Sequence, residues 1–219
     1  AAATSYFQPL QPGDQLESTP GMRRICAAAA GGIGLMCAKL AFIMCTVPAV
    51  SPPLVGLAAL AGFEFADFGS GVYHWSMDNY GNRDTPIWGK QIEAFQGHHE
   101  RPWTICHRPT ANNLHMPATA ALPFMALYLL FVNGACALAF GTVTLVFAIC
   151  AQELHKWAHT MAKDSAPLPD AMQRAGLTIT RKAHLWHHKA PYDCNYCIVS
   201  GHCNPFLDRV GFFPALERL

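Results

Sequence analysis

Five histidines in the last third of the sequence have the spacing of residues on one face of an α-helix. His155 and His159 lie four positions apart in QELHKWAHT, and His184 is followed three and four positions later by His187 and His188 in RKAHLWHH. Side chains with this spacing share one side of a helix. Crowded imidazoles repel one another as they become charged, and a bound metal is the common reason for such a cluster. The spacing therefore indicates a metal site.

Two earlier segments can contribute ligands to the same place. His74 lies four positions before Asp78 in GVYHWSMDNYG, and His98 and His99 follow in what we expect to be a loop. A zinc site needs only three or four ligands, so eight histidines predict two metal ions. Imidazole suits iron, and two iron ions best fit a membrane site that activates dioxygen, although the Glu-x-x-His pairs of soluble di-iron proteins are absent. The predicted ligands are His74, His98, His99, His155, His159, His184, His187 and His188.

The elements that must position these histidines follow from the distribution of charge. Of the 219 residues, 52% are hydrophobic and 13% charged, and no Asp, Glu, Lys or Arg occurs in residues 41–63 or 109–152. Prolines between Pro48 and Pro53 interrupt the first apolar region, and Asn133-Gly134 interrupts the second. We therefore predict an all-α integral membrane fold with four transmembrane helices of about 20 residues. Their expected bounds are residues 25–47, 54–73, 117–132 and 135–154.

The remaining charges place all eight histidines on one side of the membrane. Apart from Lys39, the Lys and Arg residues lie in the N-terminal segment, in residues 76–108 and after Gln152. The positive-inside bias places these segments on the cytoplasmic side, or on the stromal side in a plastid. A net charge of +1 without a basic run gives no indication of nucleic-acid binding. A soluble helical bundle would need polar faces that the charge-free stretches lack.

Residues 1–24 are expected to form a polar N-terminal strap, and residues 25–219 a single membrane domain. The strap contains no positive charge before Arg23 and does not begin with Met, which favours a processed plastid protein.

Several blocks resemble one known family, the Kua-type lipid desaturases, whose animal members make plasmalogens. The resemblance runs from about Glu64 to about Leu216 and rests on ADFGSGVYHWSMDNYG, QIEAFQGHHERPWTI, ANNLH, QELHKWAHT and RKAHLWHHKAPYDCNYCIVSG. The sequence is most similar to the plant plastid branch, the delta-3-trans desaturases of palmitoyl chains in phosphatidylglycerol. The family's histidine pattern falls on the same eight positions, with Asp78 as an acidic member and His115 of ANNLH as a weaker ligand candidate.

The resemblance implies a membrane enzyme that uses dioxygen and two electrons to form a double bond in a lipid acyl chain, trans and near the carboxyl end. It also implies two iron ions and an external electron donor, because the sequence has no haem or flavin motif. A chloroplast location, in the thylakoid or envelope with the histidines facing the stroma, would suggest ferredoxin, and a cytosolic face cytochrome b5. Association with a larger membrane complex is compatible with this function.

Other polar residues have less certain roles. Asp67 shares a helix stripe with His74 and is expected to accept the second ring N–H of a ligand histidine, and Glu64 is a weaker candidate for that role. His107, His115 and His202 fit ordinary hydrogen-bonded positions at the headgroup boundary. Cys194 and Cys197 form a single CxxC near His202 and Cys203, which is a weak indication of a redox pair or zinc site.

Three alternatives to desaturation stay open. A lipid or sterol hydroxylase would use the same metal site. A desaturase-like structural subunit of a photosynthetic membrane complex would be expected to lose ligands, and all eight positions are filled. A zinc metalloprotease is more distant, because Lys156 occupies the position of the general base in HExxH.

Overall fold

Four long helices and a cap of shorter ones make up the part of the protein that the structure describes. The computed structural model describes residues 16–218, and no strand occurs in that range. The helices are α1 (Pro20–Thr46), α2 (Pro52–Asn79), α3 (Gly89–Glu100), α4 (Thr110–Phe131), α5 (Ala135–His159), α6 (Pro167–Arg174), α7 (Arg181–His187), α8 (Asn204–Arg209) and α9 (Phe212–Leu216). Helices α1, α2, α4 and α5 are long and apolar enough to cross a membrane. The prediction of an all-helical fold with four candidate membrane helices is confirmed, whereas most of the expected strap lies outside the described residues.

Proline and turn residues set the ends of the long helices where the sequence indicated. Pro52 and Pro53 occupy the first turn of α2, and Asn133-Gly134 separates α4 from α5. Helix α2 extends six residues and α5 five residues beyond their expected ends, to Asn79 and His159. Helix α4 begins seven residues before the expected position and contains Pro117, because an apolar helix packed among others tolerates an internal proline.

Helices α2 and α5 form the central pair, which carries three of the eight predicted ligands, His74, His155 and His159. They approach closely at Gly62, whose carbonyl accepts a hydrogen bond from Thr144 Oγ1 at 3.1 Å. Helix α1 packs on α4 through a core that contains Met36 and Met125. Lys39, the cation inside α1, donates from Nζ to the carbonyl of Leu129 at 2.8 Å and so satisfies an acceptor in the last turn of α4.

The cap consists of α3, α6 to α9 and the irregular segment 194–203 between α7 and α8. Tyr196 and Cys197 of this segment pack against Val72 of α2 and Phe213 of α9. His98 and His99 do not lie in a loop as expected, but in the last turn of α3. Ile92, Phe95 and His98 recur every three residues and are all buried, and this apolar stripe holds the helix against the bundle.

Candidate metal centre

The structure brings all eight predicted histidines together with Asp78 at the end of the central helix pair. The potential ligand atoms form two groups, and within each group they lie within 4.8 Å of one another. The five-histidine group consists of His98, His155, His159, His184 and His188. The four-residue group consists of His74, Asp78, His99 and His187.

The Nε2 atoms of the five-histidine group converge on one point. Their contacts are His155–His184 at 2.7 Å, His159–His184 at 2.8 Å, His98–His159 at 2.9 Å, and His98–His155, His155–His159 and His184–His188 at 3.1 Å. Each ring nitrogen of a neutral histidine is either a hydrogen-bond donor or a hydrogen-bond acceptor. Among three nitrogens in mutual contact, at least two have the same role, so at least one of the three contacts is not a hydrogen bond. His155, His159 and His184 form such a triangle, and hydrogen bonding alone does not account for it.

A metal ion does account for this spacing. Imidazole nitrogens bind at about 2.1 Å, and two such ligands at right angles lie about 3.0 Å apart. Burial and the nearby imidazoles hold the pKa values of His98 and His184 well below the usual range. These side chains are therefore neutral, which is the form that offers a lone pair to a metal. The residues of the five-histidine group fit a bound transition metal in number, chemistry and spacing.

The four-residue group is arranged around one carboxylate oxygen. Asp78 Oδ2 lies 3.0 Å from Nε2 of His99, 3.3 Å from Nε2 of His74 and 3.4 Å from Nε2 of His187. The other oxygen, Oδ1, is buried and has no hydrogen-bond partner among residues 16–218, and the same is true of Nε2 in His74 and His187. Three imidazoles and one carboxylate are a usual ligand set for iron or zinc, and a metal would satisfy these atoms.

Backbone carbonyls orient two histidines of the four-residue group. His74 Nδ1 lies 3.0 Å from the carbonyl oxygen of Tyr196, and His187 Nδ1 lies 2.8 Å from that of Cys194. A carbonyl only accepts hydrogen bonds, so the proton is on Nδ1 and the Nε2 lone pair points towards Asp78. In the other group, His155 Nδ1 lies 3.3 Å from Gln152 Oε1 on its own helix.

The two groups adjoin because α3 and α7 each supply ligands to both. The neighbours His98 and His99 of α3 belong to different groups, and so do His184 and His187, whose ring centroids are 5.5 Å apart. Helices α2 and α5 also meet here, since the ring centroids of His74 and His155 are 5.6 Å apart. The arrangement is suited to two neighbouring metal ions.

The other predicted polar residues lie outside both groups. Asp67 is fully buried but accepts hydrogen bonds from backbone N–H groups of the cap rather than from a histidine. Glu64 pairs with His202 at 2.9 Å, and this carboxylate raises the pKa of His202. His115 Nδ1 contacts the carbonyl of Asn112 in its own helix. Backbone N–H groups of residues 200–203 bind Asp67 in place of a histidine ring, because buried N–H groups without partners are costly.

The thiol of Cys194 also lies outside both groups. Its sulfur contacts the carbonyl oxygen of Trp186 at 4.0 Å and the side-chain amide of Asn195 at 3.4 Å. The residue reaches the metal centre through its backbone, because the carbonyl of Cys194 holds His187.

The ANNLH block supports α5 rather than supplying a ligand. Asn113 donates from its amide to Glu153 at 2.8 Å, and Lys156 lies 3.5 Å from the same carboxylate. Glu153 immediately precedes the turn that carries His155. The block therefore fixes the position of α5 at the level of the five-histidine group.

A small open cavity reaches the five-histidine group from the surface of the cap. It has a volume of about 150 Å³, and Ala158, His159, Thr160, Met161, Arg181, His184 and Leu185 line it. His159 and His184 are the two histidines among its lining residues.

Comparison with known proteins gives one family. A lipid desaturase domain matches residues 63–219. The chain is 47% identical over 167 residues to fatty acid desaturase 4, chloroplastic, of Arabidopsis thaliana, and 48% identical over 165 residues to fatty acid desaturase 4-like 1, chloroplastic, of the same plant. Each match covers 74% of this chain, and 50% and 55% of the relatives. No solved structure matches.

Similarity to a second kind of desaturase is lower. The chain is 32% identical over 168 residues to plasmanylethanolamine desaturase of Myxococcus xanthus, a match that covers 74% of this chain and 59% of the relative. The chain spans about half the length of the chloroplastic relatives. These comparisons confirm the resemblance carried by the histidine blocks, including the greater similarity to the plant sequences.

Proposed function

The chain belongs to the lipid desaturase family, and from this premise we propose that it is a membrane enzyme that forms a double bond in an acyl chain of phosphatidylglycerol. The observation that carries the proposal is the pair of adjoining ligand groups at one end of four apolar helices. A trans bond near the carboxyl end, a chloroplast membrane and a stromal histidine face complete the proposal. The two Arabidopsis relatives are described as chloroplastic, which supports the proposed chloroplast location.

The residues of the two groups would hold two iron ions. Bound iron would supply the dioxygen-dependent oxidation that removes two hydrogen atoms from an unactivated methylene pair. Oxygen is reduced to water, and the reaction therefore needs two electrons from outside the lipid. Ferredoxin is the donor that we propose, because a chloroplast supplies it and the sequence has no haem or flavin motif.

The protein's own contribution is placement and charge. Neutral imidazoles supply the nitrogen donors, and Asp78 adds one negative charge to the four-residue group. The carbonyls of Tyr196 and Cys194 hold the rings of His74 and His187 in one tautomer, which orients their donor atoms before any ligand binds. Ring burial keeps competing water away from the nitrogens, since His74, His184 and His187 are fully buried.

The position of the site supports the proposal of a bond near the carboxyl end. The ligand groups lie where α2 and α5 leave their apolar portions and enter the charged cap. A phospholipid keeps its ester groups at the same boundary. The first methylenes of an acyl chain that lies between the helices would therefore be level with the histidines.

Reconstitution with a defined lipid tests the function. Wild-type protein, loaded with iron in detergent, would be incubated with palmitoyl phosphatidylglycerol, dioxygen and reduced ferredoxin, and the acyl chains analysed by mass spectrometry. The expected product is a monounsaturated chain with a trans bond near the carboxyl group. A double variant, His187→Ala with His188→Ala, removes one ligand from each group and should give no product, whereas His107→Ala, an exposed histidine outside both groups, should match wild type.

Two results would contradict desaturation. A hydroxylated chain as the main product would assign the site to a lipid hydroxylase. Wild-type protein that is folded but binds no iron would favour a structural subunit of a larger membrane complex.

A further inference from the structure

The irregular segment 194–203 carries both carbonyl groups that orient histidines of the four-residue group. Cys194 supplies the acceptor for His187 and Tyr196 the acceptor for His74. The segment has no helix or strand of its own to fix these carbonyls. Their position must therefore come from contacts with the rest of the protein.

Side chains accept hydrogen bonds from most of the backbone N–H groups of the segment. Asp208 accepts a hydrogen bond from the N–H of Asn195 at 3.2 Å. Asn204 binds both sides of Cys197, accepting from its N–H and donating to its carbonyl, each at 2.9 Å. Ser70 of α2 accepts from the N–H of Ile198 at 3.0 Å. The contacts of Asp208 and Asn204 lie within the cap, whereas the contact of Ser70 joins the segment to membrane helix α2.

Asp67 makes the strongest connection between the segment and α2. Its Oδ1 accepts from the N–H groups of Ser200 and Gly201, both at 2.8 Å, and its Oδ2 accepts from that of Cys203 at 3.0 Å. The side chain is fully buried. These are three hydrogen bonds against the single one of Ser70, and burial protects them from competing water.

We propose that Asp67 is a positioning residue for the four-residue group, which it controls through the segment 194–203 and without touching a histidine. Helix α2 carries Asp67, His74 about two turns later and Asp78 about three turns later. By tying the segment to this helix, Asp67 sets the distance between the carbonyl of Tyr196 and the ring of His74. The role rests on the proposed function, since it concerns the loading of the same metal centre.

The effect should be selective. In the five-histidine group, His155 Nδ1 contacts Gln152 of α5, so this contact does not involve a carbonyl of the segment. A shift of the segment is therefore expected to disturb the four-residue group more than the five-histidine group.

Asp67→Asn is the sharpest variant because it changes little volume. The amide oxygen can still accept from Ser200 and Gly201, but the amide nitrogen then faces the N–H of Cys203, and two donors repel. Iron would be measured per folded chain after dialysis against a chelator. Loss of an outer contact costs about 10–100-fold in metal affinity, so the content should fall from about two irons to about one.

Single-ligand variants identify the iron that is lost. His187→Ala removes a ligand of the four-residue group, and His184→Ala one of the five-histidine group. Mössbauer spectra of these two variants give the signature of each group. The spectrum of Asp67→Asn should lack the component that His187→Ala also lacks, and should keep the component that His184→Ala loses.

Glu64→Gln is the matched control, because Glu64 lies one turn earlier on α2 and contacts the cap through the side chain of His202. It should retain both irons. Three results for Asp67→Asn would each overturn the positioning role. They are an unchanged iron content and spectrum, the loss of both irons, and failure of Asp67→Asn to fold. Wild-type protein that binds no iron would instead refute the proposed function, so the two failures are distinguishable.

Discussion

The carboxylate of Asp78 lies 3.0 Å from Nε2 of His99, and this contact joins the last turn of α2 to the last turn of α3. Asp78 is the only acidic residue in either ligand group within residues 16–218. A carboxylate among imidazoles lowers the total positive charge when a metal ion binds. The contact therefore makes Asp78 a candidate ligand as well as a link between two elements.

Asp78→Asn should reduce iron binding at the four-residue group by at least about 10-fold, because the amide keeps the shape of the side chain but removes its charge. Iron per chain and product formation would be measured on the same preparation. Glu93→Gln is a suitable control, because Glu93 is exposed and pairs with Arg83 at 3.4 Å away from the histidines. Full iron content in Asp78→Asn would exclude a ligand role for this carboxylate.

Cys194→Ser should retain both irons and nearly the wild-type rate of product formation. The contribution of Cys194 to the site is its backbone carbonyl, which accepts from His187, and serine preserves it. Within the described part of the chain, the thiol forms hydrogen bonds with the carbonyl of Trp186 and the side-chain amide of Asn195. Iron content and turnover would be compared with wild type, and a large loss of either would reopen a thiol role for the CxxC.

The sequence was sufficient to predict the four candidate membrane helices and the convergence of the eight histidines. Charge-free stretches are long enough to leave few alternatives to membrane helices, and Pro52 and Asn133 are strong local signals for their ends. The histidines could be identified because spacing by three or four positions places side chains together irrespective of the wider fold.

The contacts around the ligands could not be predicted in the same way. The groups that orient His74 and His187 are backbone carbonyls, and every residue has one, so the sequence contains no signal for them. Asp67 shares a stripe with His74, which suggested a direct bond. A helix stripe does not show which loop will pack beside it, and three N–H groups from residues 200–203 occupy this carboxylate. The helical state of His98 was missed because α3 is short and polar outside its buried stripe.

The pair of Glu64 and His202 should give a small pH-dependent stabilisation. The hydrogen bond from His202 to Glu64 raises the pKa of His202, and a further bond to the carbonyl of Gly176 at 2.7 Å acts in the same direction. The folded state therefore binds the proton more tightly than the unfolded state. The contribution is complete below the usual histidine pKa of about 6.5 and is lost as the pH rises through the raised value.

Thermal unfolding in detergent at several pH values would measure this effect. Below pH 6.5, the free energy of unfolding of wild type should exceed that of His202→Gln by less than about 1 kcal/mol, because both partners are partly exposed. The difference should shrink at alkaline pH and in high salt. Glu64→Gln should behave like His202→Gln, and a difference that grows with pH would contradict the assigned charge state.

Gly62→Ala should destabilise the central helix pair, because α2 and α5 touch there through their backbones. A Cβ atom at position 62 would collide with the carbonyl of Phe140, and a backbone group cannot move aside as a flexible side chain can. Overpacking of this kind costs about 1–3 kcal/mol. The displaced helix would also weaken the hydrogen bond from Thr144 to the carbonyl of Gly62. The midpoint of thermal unfolding in detergent should fall, and iron retention at a fixed temperature should fall with it, since α2 and α5 carry ligands of different groups.

Gly69→Ala is the matched control on the same helix. A Cβ atom there has no neighbour within 4 Å, and alanine favours a helix over glycine by about 1 kcal/mol. Its unfolding midpoint should therefore equal or exceed that of wild type. Equal midpoints for the two variants would show that the approach of α2 to α5 at Gly62 is looser than the structure indicates. A lower midpoint for Gly62→Ala alone would establish the tight helix contact that holds His74 and His155 within reach of each other.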